Sequence, residues 1–242
     1  MNITPEYDPA RGIIRLPRPH LEAMVAGDRA VLDPRTDLGR LLAELGVVVD
    51  GGLDPALRRV LALLRRPRRR FGLRVETVAS VARHRGWIGE TGVVVVSGGQ
   101  DPDDVQDVRH APRPTATARI IARLIELGPT RAVDRLPAEA LSWPQVAAPV
   151  RGGPGTGWAG DAFGSTVRVA LHHLRWSADG VRPATTAMVL LSGDAAGLVE
   201  AVGVDGGFRL VSRTPTEVWT GLCALARSAV VELPRAPPGR TP

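Results

Sequence analysis

The sequence predicts an α+β protein with a quasi-two-fold plan: two helix–antiparallel-strands–helix halves form a central antiparallel sheet flanked by helices. Segments with apolar residues at helical spacing separate groups of short segments in which apolar and polar residues alternate. The connections between consecutive strands are short, which favours antiparallel hairpins over parallel crossovers. The same order of elements occurs twice along the 242 residues, at about 30–130 and 135–230.

The first half opens with amphipathic helices. Residues 1–28 have no clean period, and only a short strand at 13–16 and a helical turn at 21–25 are indicated. A helix follows, and its leucines recur at spacings of three and four on one face: Leu38, Leu41, Leu42 and Leu45. The next helix begins at Asp54, whose side chain can accept hydrogen bonds from free amides, and ends before Pro67.

Three strands and a helix complete the first half. The alternation of apolar and polar residues predicts strands at 71–79, 87–97 and 105–111. A polar turn at 98–104 joins the last two strands. The second strand contains four consecutive valines, so both of its faces are apolar and we expect it to lie in the interior of the sheet. A helix then opens at Thr115 and ends at Gly128.

The second half repeats this order. It begins with a short helix at 137–141 and a glycine-rich loop at 149–164. Four strands follow, at 166–176, 185–191, 198–204 and 208–211. A last amphipathic helix begins near Thr214. The Pro- and Arg-rich tail at 234–242 is expected to be disordered, which leaves 1–233 as a single domain with two pseudo-repeated halves.

Composition excludes several classes of protein. Apolar residues make up 44% and charged residues 23%, as in globular proteins. The single cysteine, Cys223, excludes an internal disulfide framework and a cysteine-based zinc site. All 31 basic residues are arginine, and Arg does not titrate near neutrality, so the net charge of +6 does not by itself imply a basic patch. Without a targeting segment or an apolar run near the roughly 20 residues that span a bilayer, we expect a cytoplasmic protein that does not insert into membranes.

Several patterns resemble catalytic or ligand sites, and each lacks a required part. The GxGxxG match at 155–160 has neither a strand before it nor a helix after it, as a dinucleotide site needs. His172 and His173 are adjacent, so on a strand they face opposite sides and cannot chelate one ion. Ser97 and Ser192 do not lie in a nucleophile elbow. We therefore predict that the protein is not an enzyme and uses no cofactor or metal.

One dense basic run leaves an alternative open. It comprises Arg65, Arg66, Arg68, Arg69 and Arg70. Such a run can bind phosphates, so the alternative is an Arg-rich protein that binds nucleic acid or a phosphate ligand. The run joins a helix to a strand, however, and its one aromatic neighbour is Phe71. A solvated connection, with cations placed favourably at a helix C-terminus, is the simpler interpretation.

A set of motifs points to a known family. The motifs, in order, are Gly-Val-Val-Val-Asp at 46–50, Leu-Asp-Pro at 53–55, Arg-Pro at 66–67, and the ending Thr-Pro-Thr at 214–216 before the last helix. In order and spacing, residues 38–70 resemble the N-terminal part of the EspG family of ESX (type VII) secretion-associated proteins, and the resemblance extends over 38–226. The glycine-rich insert at 151–160 is not part of the family pattern.

The resemblance implies both a fold and a role. The fold would be quasi-two-fold α+β with a central antiparallel sheet. The role would be that of a cytosolic chaperone without catalysis, since EspG proteins bind PE–PPE heterodimers at the tip of the PPE helical bundle, keep them soluble and deliver them for secretion. The expected partner is therefore a secreted helical client similar to a PE–PPE heterodimer. Nucleic acid is not expected, and the protein itself would be a monomer or a weak homodimer.

A polar loop is the candidate for partner contact. It is expected to be exposed and to join two strands in the middle of the sheet, so it could reach a partner beside the sheet. The candidate residues are Gln100, Asp101, Asp103 and Asp104. The segment does not match a calcium loop, because Gln106 and Pro112 stand where an EF-hand has Gly and Glu. An ordinary hairpin connection is the alternative interpretation.

Overall fold

The computed structural model describes residues 5–11, 13–27, 32–98, 105–152, 158–164, 169–177, 184–193 and 197–228. In these ranges ten strands form one sheet, two short strands form a separate hairpin, and seven α-helices are present. The first-half strands and helices are β1 (Glu6–Asp8), β2 (Ile13–Pro17), α1 (Arg18–Ala26), α2 (Asp37–Glu44), β3 (Val48–Val49), β4 (Gly52–Leu53), α3 (Pro55–Arg65), β5 (Arg69–Glu76), β6 (Val81–Gly89), β7 (Gly92–Ser97), β8 (Val105–Ala111) and α4 (Thr117–Leu124). Those of the second half are α5 (Trp143–Gly152), α6 (Trp158–Phe163), β9 (Val169–Ser177), β10 (Thr185–Gly193), β11 (Gly197–Val204), β12 (Gly207–Arg213) and α7 (Pro215–Ser228). None of the described helices is both long enough and apolar enough to cross a bilayer.

The large sheet is antiparallel throughout, in the order β1-β2-β8-β7-β6-β5-β9-β10-β11-β12. Strands β5 to β8 form one meander and β9 to β12 form a second. The two meanders meet where β5 pairs with β9. This architecture confirms the predicted α+β class with a central antiparallel sheet, and it places the valine-rich β7 in the sheet interior. The bounds of the two halves and of the single domain stay a prediction.

One face of the sheet, the front face, is covered by α4 and α7, which pack side by side. Their apolar side chains share one core with residues from both meanders. At its centre the rings of Phe71 and Trp176 stack, with centroids 6.2 Å apart and planes 10° apart. Beside them Leu73 stands directly opposite Leu174 across the β5–β9 pair. Because both central strands contribute, this core joins the two meanders.

The opposite, back face is covered by two separate groups of helices. Helices α1, α2 and α3 enclose a core with β2, β6, β7 and β8, and α3 packs directly on β6 and β7. Helices α5 and α6 enclose another core with β9 to β12, and α5 packs on β9 and β12. Strand β5 therefore lies between the two helix groups on this face.

Local sequence determines where two of the helices begin. The Asp54 carboxylate accepts a hydrogen bond of 2.6 Å from the Ala56 amide, and the Tyr7 hydroxyl donates to the same oxygen at 2.7 Å. The hydrogen bond from Tyr7 is the main reason that the pKa of Asp54 is lowered. At α7 the Thr214 amide donates to the Glu217 carboxylate at 2.7 Å, and the Glu217 amide donates back to the Thr214 hydroxyl at 3.2 Å. This reciprocal pair is a capping box.

The strand predicted at 87–97 is wrong, because two strands occupy this stretch. β6 ends at Gly89 and β7 begins at Gly92, with a tight turn at 90–91. A Cβ atom on Gly92 would lie 2.3 Å from the Ala111 carbonyl oxygen, so the neighbouring strand β8 approaches the turn closely. Buried apolar residues stand on both sides of the turn, Ile88 before it and the valines of β7 after it, and they hid the reversal.

Two predictions in the second half are also wrong. The helix at 137–141 is absent. The Leu141 amide donates to the Phe208 carbonyl and the Leu141 carbonyl accepts from the Phe208 amide, both at 2.8 Å, so the backbone here forms a β-bridge. The segment predicted as a loop at 149–164 is helical at 149–152 and 158–163. Helix α5 continues through Pro149 because Val146 and Val150 on one side are fully buried, and α6 follows. Residues 153–157 and the tail at 234–242 lie outside the described residues.

A glycine beneath the central aromatic pair provides a test of this packing. A Cβ on Gly86 would lie 1.9 Å from the Phe71 ring, whereas a Cβ on Gly72, on the adjacent strand, would meet nothing within 4 Å. We expect Gly86→Ala to lower the free energy of unfolding by about 1–3 kcal/mol, since overpacking displaces the ring. Gly72→Ala is the matched control and should be neutral or slightly stabilising. Urea unfolding measures both, and equal effects would contradict the packing described.

Candidate functional site

A groove of about 960 Å³ opens on the front face at one end of the sheet. One wall is the hairpin at 77–80 between β5 and β6, and the other is the end of α4 with the segment at 128–130. The adjoining ends of β9, β10 and β11 form the floor. The groove exists because α4 ends at Leu124, before it reaches the end of the sheet, and the chain then turns away at Glu126, which has a positive φ of 53°.

The hairpin wall of the groove is apolar and exposed. Val75, Val78 and Ala79 line it, and 58% of Val78 is exposed to solvent. The adjacent Ala79 is exposed as well. Neighbouring exposed apolar side chains beside a groove are typical of surfaces that bind another protein. The hairpin therefore marks this end of the sheet as a candidate docking surface.

The floor of the groove carries a buried histidine. His172 is 4% exposed, and its Nε2 lies 2.8 Å from the Ser192 hydroxyl. Its Nδ1 is buried and has no hydrogen-bond partner among the described residues, and the same holds for the hydroxyl of Thr130, which also lines the groove. Burial lowers the pKa of His172 to about 4, so the imidazole is neutral at pH 7. An occupant of the groove could supply the missing hydrogen bonds.

The His172–Ser192 pair does not form a catalytic triad. A nucleophilic serine needs a base that a third group orients, and no described residue bonds to His172 Nδ1. Ser192 also lies within strand β10, not on the sharp strand-to-helix turn that exposes such a nucleophile. The pair is best explained as a hydrogen bond between neighbouring strands beneath the groove.

A second groove, of about 550 Å³, lies where β10 and β11 separate. The two strands pair at 190–193 and 197–200, and beyond these residues they diverge. Trp143 and Phe208 line the opening, with ring centroids 5.6 Å apart. This groove is smaller than the first, and the β9–β10 connection beside it, at 178–183, lies outside the described residues, so we take the larger groove as the candidate site.

The residues predicted to contact a partner, Gln100, Asp101, Asp103 and Asp104, lie outside the described residues. The strands on either side of them are described. β7 ends at Ser97 and β8 begins at Val105. β6 starts from the hairpin wall of the groove and β7 is antiparallel to it, so β7 ends at the same end of the sheet as the groove.

The basic run at 65–70 does not form one surface. The Arg65 guanidinium donates to the Met24 and Val25 carbonyls, at 2.7 and 2.8 Å, and so ties α3 to the C-terminal end of α1. Arg68 pairs with Glu90. Arg70 projects from the back face of β5. The predicted placement of a cation at the C-terminus of its own helix holds for Arg65, which lies in the last turn of α3 and also contacts the end of α1.

The other motifs are distributed across the fold. His172 and His173 face opposite sides of β9 as predicted, and the His173 ring lies 6.0 Å from Trp143 on the back face. Of the glycine-rich match at 155–160, only 158–160 is described, and these residues begin α6. Among the described residues, no group of three or more His, Cys, Asp or Glu side chains could hold a metal ion. Cys223 is half-buried against the front core.

Comparison with solved structures finds a similar fold. It is that of the type VII secretion system chaperone EspG5 of Mycobacterium tuberculosis, solved in complex with a PE25–PPE41 dimer. The TM-score is 0.54 at 12% sequence identity, and the match covers 89% of this chain and 96% of the EspG5 chain. It is one of 14 matching chains. The fold implied by the EspG resemblance is thereby confirmed. No protein-family model and no curated protein matches the sequence.

The buried histidine predicts a pH dependence of stability. Its pKa is about 4 when folded and about 6.5 when unfolded, so between these values the unfolded chain binds a proton that the folded chain does not. The free energy of unfolding should therefore fall as the pH is lowered from 7 to 4.5, with about 2–3 kcal/mol of the loss due to His172. His172→Gln should lose correspondingly less over the same range in urea unfolding. Parallel pH profiles for the two proteins would contradict the burial of a neutral imidazole.

Proposed function

We propose that this protein is a cytosolic, non-catalytic chaperone of a type VII (ESX) secretion system that binds a secreted PE–PPE-like heterodimer. One observation carries the proposal: the fold matches a chaperone of this kind over 96% of that chaperone's chain, and that chaperone was solved with a PE–PPE dimer bound.

The front groove is the proposed binding surface. A helical bundle with an apolar tip aggregates when the tip is exposed to water. Val78 and its neighbours could cover such a tip, and burying one exposed valine side chain contributes up to about 1.5 kcal/mol. The unpartnered Nδ1 of His172 could accept or donate one hydrogen bond at the floor. Together these features would favour an apolar tip that also carries a polar group.

The loop at 100–104 is proposed as a second contact with the same client. What supports this is the position of its flanking strands, which end at the same end of the sheet as the groove. Gln100, Asp101, Asp103 and Asp104 would then contribute polar contacts at the border of the apolar surface. Charge reversal of Asp103 and Asp104 with unchanged client binding would contradict this part of the proposal and leave the groove unaffected.

The groove is tested by co-expression with a PE–PPE pair. We expect the wild type to co-purify with the pair at micromolar concentration and to keep it soluble. Val78→Asp should weaken binding about tenfold or more, because a carboxylate would be desolvated in an apolar interface. Val49→Asp is the matched control: Val49 is 49% exposed but lies on the β3–β4 hairpin, away from the groove.

Two outcomes would contradict the proposal in different ways. Failure of the wild type to bind any PE–PPE pair tested would contradict the chaperone function itself. Equal binding by Val78→Asp and Val49→Asp, with the wild type binding, would preserve the function and exclude the groove as its site. Isothermal titration of purified components separates the two cases, and thermal unfolding of each variant verifies that it is folded.

A further inference from the structure

The centre of the back face carries a row of exposed arginines that the proposed function does not use. They stand on the three neighbouring strands β6, β5 and β9, and we call them the arginine stripe: Arg70, Arg74, Arg83, Arg85 and Arg175. Arg74 stands directly opposite Arg83 on one side and His173 on the other. Gly72 stands between Arg85 and Arg175. The side chains of all these positions lie on one face because they pair in register.

Few negative charges among the described residues compensate the stripe: Glu22, itself paired with Arg18, acts on Arg85. Glu76 pairs with Arg74 at 2.8 Å and lies 4.0 Å from Arg151 of α5. Arg175 donates to a backbone carbonyl, that of Ala184, at 2.6 Å. Neither Arg70 nor Arg83 makes a side-chain hydrogen bond or ion pair with another described residue. The charge of the stripe is therefore largely unneutralised.

This arrangement opposes folding. Like charges directly opposite each other on neighbouring strands are destabilising, and Arg74 and Arg83 form such a pair. The positive charge of the stripe also acts on the adjacent His173. Burial lowers the pKa of His173, and the charges of Arg175 and Arg74 lower it further. The exposed guanidinium groups do not contribute to a core, so packing does not explain them. An anionic partner would complement their charge, which favours a binding role for the stripe.

The shape of the surface favours a single helix as occupant. Helices α1 and α3 stand on one side of the stripe and α5 on the other. The floor consists of three strands, about 10 Å from the first to the last, which is close to the diameter of one α-helix. Between Arg85 and Arg175, Gly72 leaves space, since a Cβ there would meet nothing within 4 Å.

The spacing of the charges agrees with this choice. The stripe has three rows across the strands: Arg70, then Arg85 with Arg175, then Arg83 with Arg74. Successive rows are two residues apart along β5, which corresponds to about 6.7 Å. Four residues of an α-helix rise about 6 Å. A helix lying along the strands would thus bring carboxylates at i, i+4 and i+8 to successive rows.

Single-stranded nucleic acid fits the stripe less well than a helix. Base stacking needs exposed aromatic rings, and the guanidinium of Arg85 covers the Trp87 ring at 5.8 Å.

We propose that the arginine stripe is a docking site for an acidic α-helix of a protein partner, whose carboxylates at i, i+4 and i+8 contact its three rows. The site is independent of the proposed client groove, which lies on the front face. A protein with both sites could hold a client on one face while its back face docks on an acidic helix of another protein.

The probe is a capped helical peptide with an Ala and Gln background and Glu at i, i+4 and i+8. A second peptide of identical composition places the same three Glu residues on different helix faces. We expect the full-length protein to bind the first peptide at least about tenfold more tightly than the second in fluorescence anisotropy. Binding should weaken as salt is raised from 50 to 500 mM, as expected for exposed charges over roughly these ionic strengths.

Arg83→Glu is the informative variant. It puts a carboxylate opposite Arg74, which removes the repulsion, so its thermal midpoint should be unchanged or higher than that of the wild type. It should nevertheless lose peptide binding about tenfold or more. Arg70→Gln should show a smaller loss of peptide binding than Arg83→Glu. Arg119→Glu, at an exposed position on α4 of the front face, carries the same charge change and should bind the peptide as the wild type does.

Three outcomes would overturn the proposal. The first is no binding of the aligned peptide by the wild type, or equal binding of the aligned and scattered peptides. The second is an equal loss of binding in Arg83→Glu and Arg119→Glu, which would indicate a general charge effect. The third is tighter, Arg83-dependent binding of a single-stranded oligonucleotide that displaces the peptide, which would assign the stripe to nucleic acid.

Discussion

The pairing of β5 with β9 is the interaction on which the rest of the structure depends. These strands are far apart in sequence, and among the described strands no other pairing connects the two meanders. On the front face the pair contributes Phe71, Trp176, Leu73 and Leu174 to one core, and α4 and α7 cover that core together. Burial of these large side chains stabilises the junction by an amount that scales with the apolar area removed from water. The same pair leaves arginines on its back face, where no shared core forms.

This asymmetry between the two faces explains where surfaces for partners arise. On the front, α4 and α7 cross the sheet side by side, and the early end of α4 leaves a groove floored by His172 and bordered by Val78. On the back, the helices divide into two groups, and the central strand between them carries charge. An apolar groove and a cationic stripe on opposite faces could engage chemically different partners without competing for the same area.

Two polar features of the sheet are unfavourable for the stability of the free protein. His172 is held neutral in the interior with one nitrogen bonded to Ser192 and the other without a described partner. An unsatisfied buried polar atom is unfavourable, and the unneutralised arginines of the back face are unfavourable for a different reason, mutual repulsion. Both features lower the stability of the free protein, and both would be relieved by occupants with complementary groups.

The sequence by itself determined most elements of secondary structure, because periodicity, capping residues such as Asp54 and prolines act within a few residues of chain. It also determined the fold class, through the repeated order of elements and the resemblance at 38–70. It missed the reversal at 90–91, where buried apolar residues stand on both sides of the turn, and the helix through Pro149, where burial of Val146 and Val150 outweighs the proline. Only the tertiary structure decided which side chains meet: the groove at His172 and Val78, and the alignment of arginines from β5 and β9, depend on the register between two strands roughly 100 residues apart. The alternation of apolar residues restricts which face of each strand is buried, but the partner of a distant strand follows from the packing of whole faces.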